Sequence, residues 1–154
     1  MDRNLGDYVL WYAALDNSHG PTTAVAALKE RTSGWTNIPE KEYTYSDDGG
    51  GNKYTAFAET MRARMLTYTE VTTTLGCTTS EGSCPNWLYI NLKNTGSDTD
   101  SVGNTKYGYW TSAAYSSDFI RSWYVNCNDR TGIHYVYYEA NLGLRPVIEL
   151  SKSL

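Results

Sequence analysis

Apolar and polar residues alternate with two different periods along this chain, and the changes of period mark the elements. Over residues 7–14 (DYVLWYAA), Val9, Trp11 and Ala13 alternate with Tyr8, Leu10 and Tyr12, a period of two that predicts a β-strand. TTAVAALKER, Thr22–Arg31, predicts a short helix, with Thr22 or Thr23 after Pro21 as its cap. KEYTYS (41–46) reads as a strand. DDGGGN (47–52) must then be a turn or flexible loop, because three glycines in a row cannot hold a regular element. MRARML (61–66) reads as an incoming strand. Thr67 and Glu70 have capping-box spacing, Tyr68, Val71 and Leu75 share one helical face, and Gly76 is a natural stop. Thr72, Thr73 and Thr74 are poor helix formers, so packing has to hold this helix.

Pro85 suits a first helical position, and Trp87, Leu88, Asn91 and Leu92 give a second, half-buried helix. Residues 94–104 (NTGSDTDSVGN) form a polar loop. YGYWTS, SWYVNC, IHYVYY and LRPVIEL then read as short strands. In SWYVNC, Trp123, Val125 and Cys127 alternate with Tyr124, Asn126 and Asn128, which assigns the first set to the core and the second to an open face. Trp110, Trp123, Val125, Val147 and Ile148 are the expected core of these strands. Pro146 cannot donate to a ladder, so the last strand carries an edge or a bulge there. The order of elements predicts an α+β fold, with short helices packed around small antiparallel sheets. A length of 154 residues fits one domain spanning 1–154, and no internal repeat is visible.

Composition narrows what such a domain does. Fourteen Tyr and five Trp stand against two Phe, a bias toward rings with polar handles that suits both β-strands and binding surfaces. A net charge of −4 without a basic cluster speaks against nucleic acid and against a polybasic membrane patch. No apolar run reaches the roughly 20 residues that span a bilayer, and MDRNLGDYV lacks the pattern of a signal peptide. The chain is therefore expected to be cytoplasmic or a domain of a longer exported protein. Cys77 and Cys84 bracket a short polar loop whose closure as a disulfide would contribute about 2.5 kcal/mol; the alternative is two reduced thiols. The disulfide is the preferred reading and implies an oxidising compartment. Cys127 is then the odd thiol, and the spacing does not fit zinc.

The stretch between the late strands is dense in adaptable polar and aromatic side chains. Tyr115, Asp118, Phe119, Arg121, Tyr124, Asn126, Asn128, Arg130, His134, Tyr135, Tyr137, Glu139 and Asn141 are the candidate ligand-binding residues. Tyr supplies contact area at low entropic cost, Asn and Asp supply hydrogen bonds, and Arg121 and Arg130 could hold a carboxylate or stack on a ring.

Several of these motifs occur together in one family. ARMLTYTEV, GYWTS, SWYV and GLRPVIEL resemble segments of the C-type-lectin-like domains of bacterial surface and phage proteins, with formylglycine-generating enzymes as more distant relatives. The match covers about residues 36–154; the first 35 residues are not placed by it. The resemblance implies a C-type-lectin-like fold whose late loops and strand faces bind a ligand. Some such domains are variable proteins of diversity-generating retroelements, and residues 111–143 have a matching Tyr- and Asn-rich composition. It implies a module displayed on a cell surface or phage tail tip, joined to a longer protein, that binds a protein or glycan on another cell or host surface.

Other activities have weaker footing. The family's calcium-dependent sugar triplets are missing. Asp98 and Asp100 could ligate a cation but read better as a solvated loop. Formylglycine-type oxidation needs more than the single late Cys127. A Cys127–His134 pair has no supporting sequence frame, and Asp118, Asp129 and Glu139 are carboxylates any acidic surface offers. No metal or cofactor is expected. A non-enzymatic binding module is the main expectation, a structural subunit of a surface appendage the second, and an oxidase-related enzyme the third.

Overall fold

The computed structural model describes residues 9–89, 108–126, 130–137 and 142–151. Among them lie helix α1 (Thr22–Arg31), strands β1 (Lys41–Tyr45) and β2 (Phe57–Met61), a π-helical turn (Glu70–Thr74), helix α2 (Asn86–Tyr89), and strands β3 (Gly108–Ala114), β4 (Arg121–Asn126) and β5 (Arg130–Tyr135). β1 and β2 form an antiparallel pair, and β3–β4–β5 an antiparallel three-stranded sheet. The protein is thus α+β, with short helices and two small antiparallel sheets.

The three-stranded sheet lies between two apolar clusters. Trp110 and Tyr124 are paired in register and join Trp11, Val25, Leu28, Tyr45, Met61 and Val136 on one side. Tyr109 and Val125, the next pair, join Leu66, Val71, Leu88 and the Cys77–Cys84 disulfide on the other. The expectation that Trp110, Trp123 and Val125 share one core face is therefore corrected. Trp110 and Val125 are buried on opposite faces, while Trp123, Val147 and Ile148 are only partly buried. The open face assigned to Tyr124 is corrected too, since its ring is buried in the first cluster.

β3 is buried along its whole length, and its register with β4 shifts between Trp110 and Ala114. A shift of this kind takes backbone groups out of the ladder, and buried backbone groups need partners. Side chains from distant segments supply them. The Trp11 indole N–H donates to Thr111 O at 2.9 Å, the Tyr54 hydroxyl to Ser112 O at 2.6 Å, and the Ser122 hydroxyl to Ala113 O at 2.6 Å. Asp47 accepts from the Ala114 N–H at 3.2 Å, and Leu66 O from the Ser112 N–H at 2.9 Å. Trp110 completes a reciprocal clasp by donating its indole N–H to Val9 O at 2.9 Å.

These demands explain where the elements depart from sequence pattern. Residues 9–14 are not a regular strand. They dock through the Val9 N–H to Leu142 O and the Trp11 N–H to Val136 O, with Val9 and Trp11 buried and Ala13 exposed. α1 has its expected bounds but no hydroxyl cap; Pro21 occupies the cap position, and Trp11 O takes the first-turn N–H of Ala24. The glycine loop is ordered around two carboxylates. Asp47 accepts from the N–H groups of Gly49 and Lys53, and Asp48 from those of Tyr68 and Thr69 at the start of the next helical turn. A Cβ at Gly49 would sit 2.1 Å from Ala114 O, so only glycine lets the loop lie on the end of β3.

The segment after Met61 leaves the ladder, and Arg64 meets Val147 in an isolated bridge. The capping box forms by half. Thr67 Oγ1 accepts from the Glu70 N–H, while the Glu70 carboxylate turns to Arg64 at 2.8 Å. Val71 is buried on the expected face, and Gly76 stops the turn at φ +77°. Near the C-terminus, the strand expected over LRPVIEL (144–150) is reduced to an isolated bridge at Val147, with another at Gly143 just before it. The residues 90–107, including Asn91, Leu92, Asp98 and Asp100, lie outside the described residues, as does Cys127.

Two outcomes test this architecture. Tyr54→Phe should cost about 1–3 kcal/mol in urea unfolding with an unchanged slope, because it strands the Ser112 carbonyl; an unshifted midpoint would mean that β3 does not depend on the phenol. Peptide mapping without reduction should recover Cys77 and Cys84 linked, and reducing them should lower stability by about 2.5 kcal/mol. Two freely alkylated thiols would refute the bridge.

Candidate functional site

The β3–β4 connection and strands β4 and β5 carry most of the candidate residues that are described. The connection is held from the other end of the chain. Asn17 is fully buried, and its Nδ2 lies 3.2 Å from Tyr115 O, 3.1 Å from Asp118 O and 2.8 Å from Arg121 O. Its own N–H donates to Phe119 O at 2.8 Å. Two amide hydrogens serve three carbonyls, so the bonds are shared. Within the connection, Asp118 accepts from the N–H groups of Ile120 and Arg121 and pairs with the Arg121 guanidinium. Burial raises the Asp118 carboxyl, but these hydrogen bonds and the Arg121 charge outweigh it and hold the group below its ordinary range. Arg121 in turn lies over the Tyr115 ring at 5.2 Å.

Trp123 follows on β4, with its ring 4.8 Å from Tyr68 and edge-on to Tyr115 at 5.4 Å. Beside it a depression of about 390 Å³ is lined by Tyr115, Trp123, Asn126, Arg130, Thr131 and Ile133, with Thr79 of the disulfide loop. Two of the lining residues, Trp123 and Thr131, each hold a polar atom (Nε1 and Oγ1) that is buried beneath the surface without a hydrogen-bond partner among the described residues. Such atoms cost free energy unless something pairs with them, so the packing under this depression is less satisfied than elsewhere and can adjust when something binds above it.

Two other cavities lack this feature. The larger, about 530 Å³ between α1 and β2, is lined by Val25, Lys29, Phe57 and Glu59, and its charges already pair at 3.1 Å. The third, about 320 Å³, lies among Leu66, Leu75, Trp87, Arg145 and Val147; Arg145 donates to the carbonyls of Trp87 and Leu88. Volume alone would choose the α1–β2 cavity; unpaired polar atoms choose the β4–β5 depression.

Of the candidate residues, Tyr115, Tyr124, Asn126 and Arg130 line the depression, Tyr124 with little exposure. Asp118 and Arg121 brace its Tyr115 wall. Phe119, Tyr135 and Tyr137 are exposed. His134, expected as a surface ring, is buried edge-on to Trp110 and Tyr124, and its Nδ1 lies 3.0 Å from Tyr135 O. Both faces of the sheet are covered here, and alternation fails to expose it for that reason. Asn128, Glu139 and Asn141 lie outside the described residues, as does Asp129. Trp123, Thr131, Ile133 and Thr79 were not among the candidates. Gly132 was the available signal. It sits opposite Tyr124, where a Cβ would meet the ring at 2.8 Å, so the phenol lies across β5 and its hydroxyl reaches Asn126 Nδ2 at 3.0 Å.

Among the described residues no group of three or more His, Cys, Asp or Glu is arranged to hold a metal ion, and no helix is long and apolar enough to cross a membrane. Comparison of the chain with protein-family models, with curated proteins and with solved structures finds no match.

Proposed function

We propose that this domain is a non-enzymatic binding module that takes a protein or glycan ligand through the β4–β5 depression and the exposed rings around it. The observation that carries this reading is a depression walled by the rings of Tyr115 and Trp123 and rimmed by the partly buried Asn126 and Arg130, with unpartnered polar atoms of Trp123 and Thr131 beneath it. Rings that give contact area next to adaptable polar groups are the make-up of a recognition surface. A catalytic reading has less support. The Asp118 carboxylate is committed to Arg121 and to two backbone N–H groups, which leaves it poorly placed to move a proton.

The scaffold in this proposal is a C-type-lectin-like fold, with the late strands as its variable, ligand-facing part in the manner of diversity-generating-retroelement proteins. The Cys77–Cys84 disulfide is compatible with display outside the cell, on a surface or a phage tail tip, as part of a longer protein. A structural-subunit role would instead use the exposed Phe119, Tyr135 and Tyr137 as a permanent subunit contact.

Labelled protein applied to a glycan array and to arrayed host-surface proteins tests the proposal. Asn126→Ala with Arg130→Ala should weaken retention roughly tenfold or more. Both side chains are only partly buried, so the melting temperature should barely move. Retention unaffected by the double variant, or no retention on either array, would overturn the assignment. A stable oligomer broken by Tyr135→Ser with Tyr137→Ser would favour the subunit role.

A further inference from the structure

The depression does not lie on one face of the sheet. The β4–β5 register sets Trp123 opposite Ile133, Val125 opposite Thr131, Tyr124 opposite Gly132 and Asn126 opposite Arg130. Successive residues of a strand point to opposite faces, so Trp123, Thr131 and Ile133 belong to one face and Tyr124, Asn126 and Arg130 to the other. All six line the same depression. It therefore wraps the outer edge of β5, which stands at the end of the sheet order β3–β4–β5.

Among the described residues the main chain of that edge is paired at Thr131 and open at Ile133. The Thr131 N–H donates to Thr78 O at 2.8 Å, so it points away from β4. Antiparallel partners alternate between pairs that exchange hydrogen bonds and pairs that do not. Ile133, two residues on, must then also direct its N–H and C=O outward. Among the described residues no backbone group outside the sheet pairs with Ile133. The disulfide-closed loop thus makes the first rung of an added strand at Thr131 and stops one rung short of Ile133.

We propose that the ligand is an extended peptide segment of a partner protein, added as a fourth strand beside β5 at Ile133. An antiparallel residue opposite Ile133 would exchange both hydrogen bonds with it and set its side chain on the face of Trp123, directly beside Ile133 and diagonal to Thr131. Its chain neighbours would face the other way, toward Asn126 and Arg130. Only a ligand with alternating side chains uses both halves of a depression that straddles an edge. The proposal rests on the depression being the binding site and adds the class of ligand and the atoms that hold it.

Selection of linear ten-residue peptides from a displayed random library against the full chain supplies the probe. Ile133→Pro removes only an outward N–H, a change that sheet edges tolerate. Selected peptides should lose roughly tenfold or more in affinity for it, and should lose as much for the unchanged protein when the peptide residue opposite Ile133 is N-methylated. Amide exchange at Ile133 should slow when the peptide is bound. Selection that yields no binder, or binders indifferent to both changes that leave Ile133 exchange unaltered, would overturn strand addition. If such binders still failed on the Asn126→Ala, Arg130→Ala variant, the depression would stand as the site while strand addition fell. A concentration-dependent dimer abolished by Ile133→Pro would give the edge to a second copy of the chain and overturn the peptide assignment.

Discussion

The structure depends on satisfying the backbone of β3. A strand buried on both faces can leave no carbonyl unpaired, yet the register shift between Trp110 and Ala114 removes part of its ladder. Trp11, Tyr54, Ser122, Asp47 and Leu66 supply the missing partners, and they come from segments far apart in the chain. One unsatisfied buried carbonyl costs about 1–3 kcal/mol, against a total stability of about 5–15 kcal/mol for a domain. The demands of a single strand are thus large enough to decide where the N-terminal segment, the glycine loop and the β2 exit must lie.

The same arrangement places the candidate binding surface. Gly143 bonds to the other edge of β3, so the sheet extends through β4 and β5, and the depression forms at its far end. The disulfide matters there for position as much as for stability. Cys77 and Cys84 are buried against Val125 and Leu88 in the second cluster, while the loop between them carries Thr78 and Thr79 to the β5 edge.

Elements governed by local chemistry were legible in the sequence. α1, β1, the Gly76 stop and the Cys77–Cys84 pairing follow from periodicity, propensity and short-range spacing. Errors cluster where tertiary contact replaces a local rule. Trp11 O does the work expected of a threonine cap, and the Glu70 carboxylate bonds to Arg64 and to the Thr67 hydroxyl in place of the Thr67 N–H. Alternation in SWYVNC separates the two faces but carries no sign that both are covered, so it predicts an open Tyr124 and a deeply buried Trp123 where the structure buries Tyr124 and leaves Trp123 partly exposed. The candidate site was legible as a region, in Tyr115, Asn126 and Arg130, and illegible in Thr131 and Ile133. Their part depends on which way the edge of a strand faces, a property of register and not of residue type.

Asn17 grips the β3–β4 connection only by main-chain oxygens, those of Tyr115, Asp118, Phe119 and Arg121. Every amino acid carries that oxygen. The path of the connection is therefore written largely at residue 17, about a hundred positions away, and within the loop itself at Asp118, whose carboxylate holds the N–H groups of Ile120 and Arg121. Replacing Tyr115 or Phe119 alters what the loop shows to its surroundings without altering what holds it. A surface fastened in this way can change its chemistry from one version of the protein to the next while its backbone stays in place.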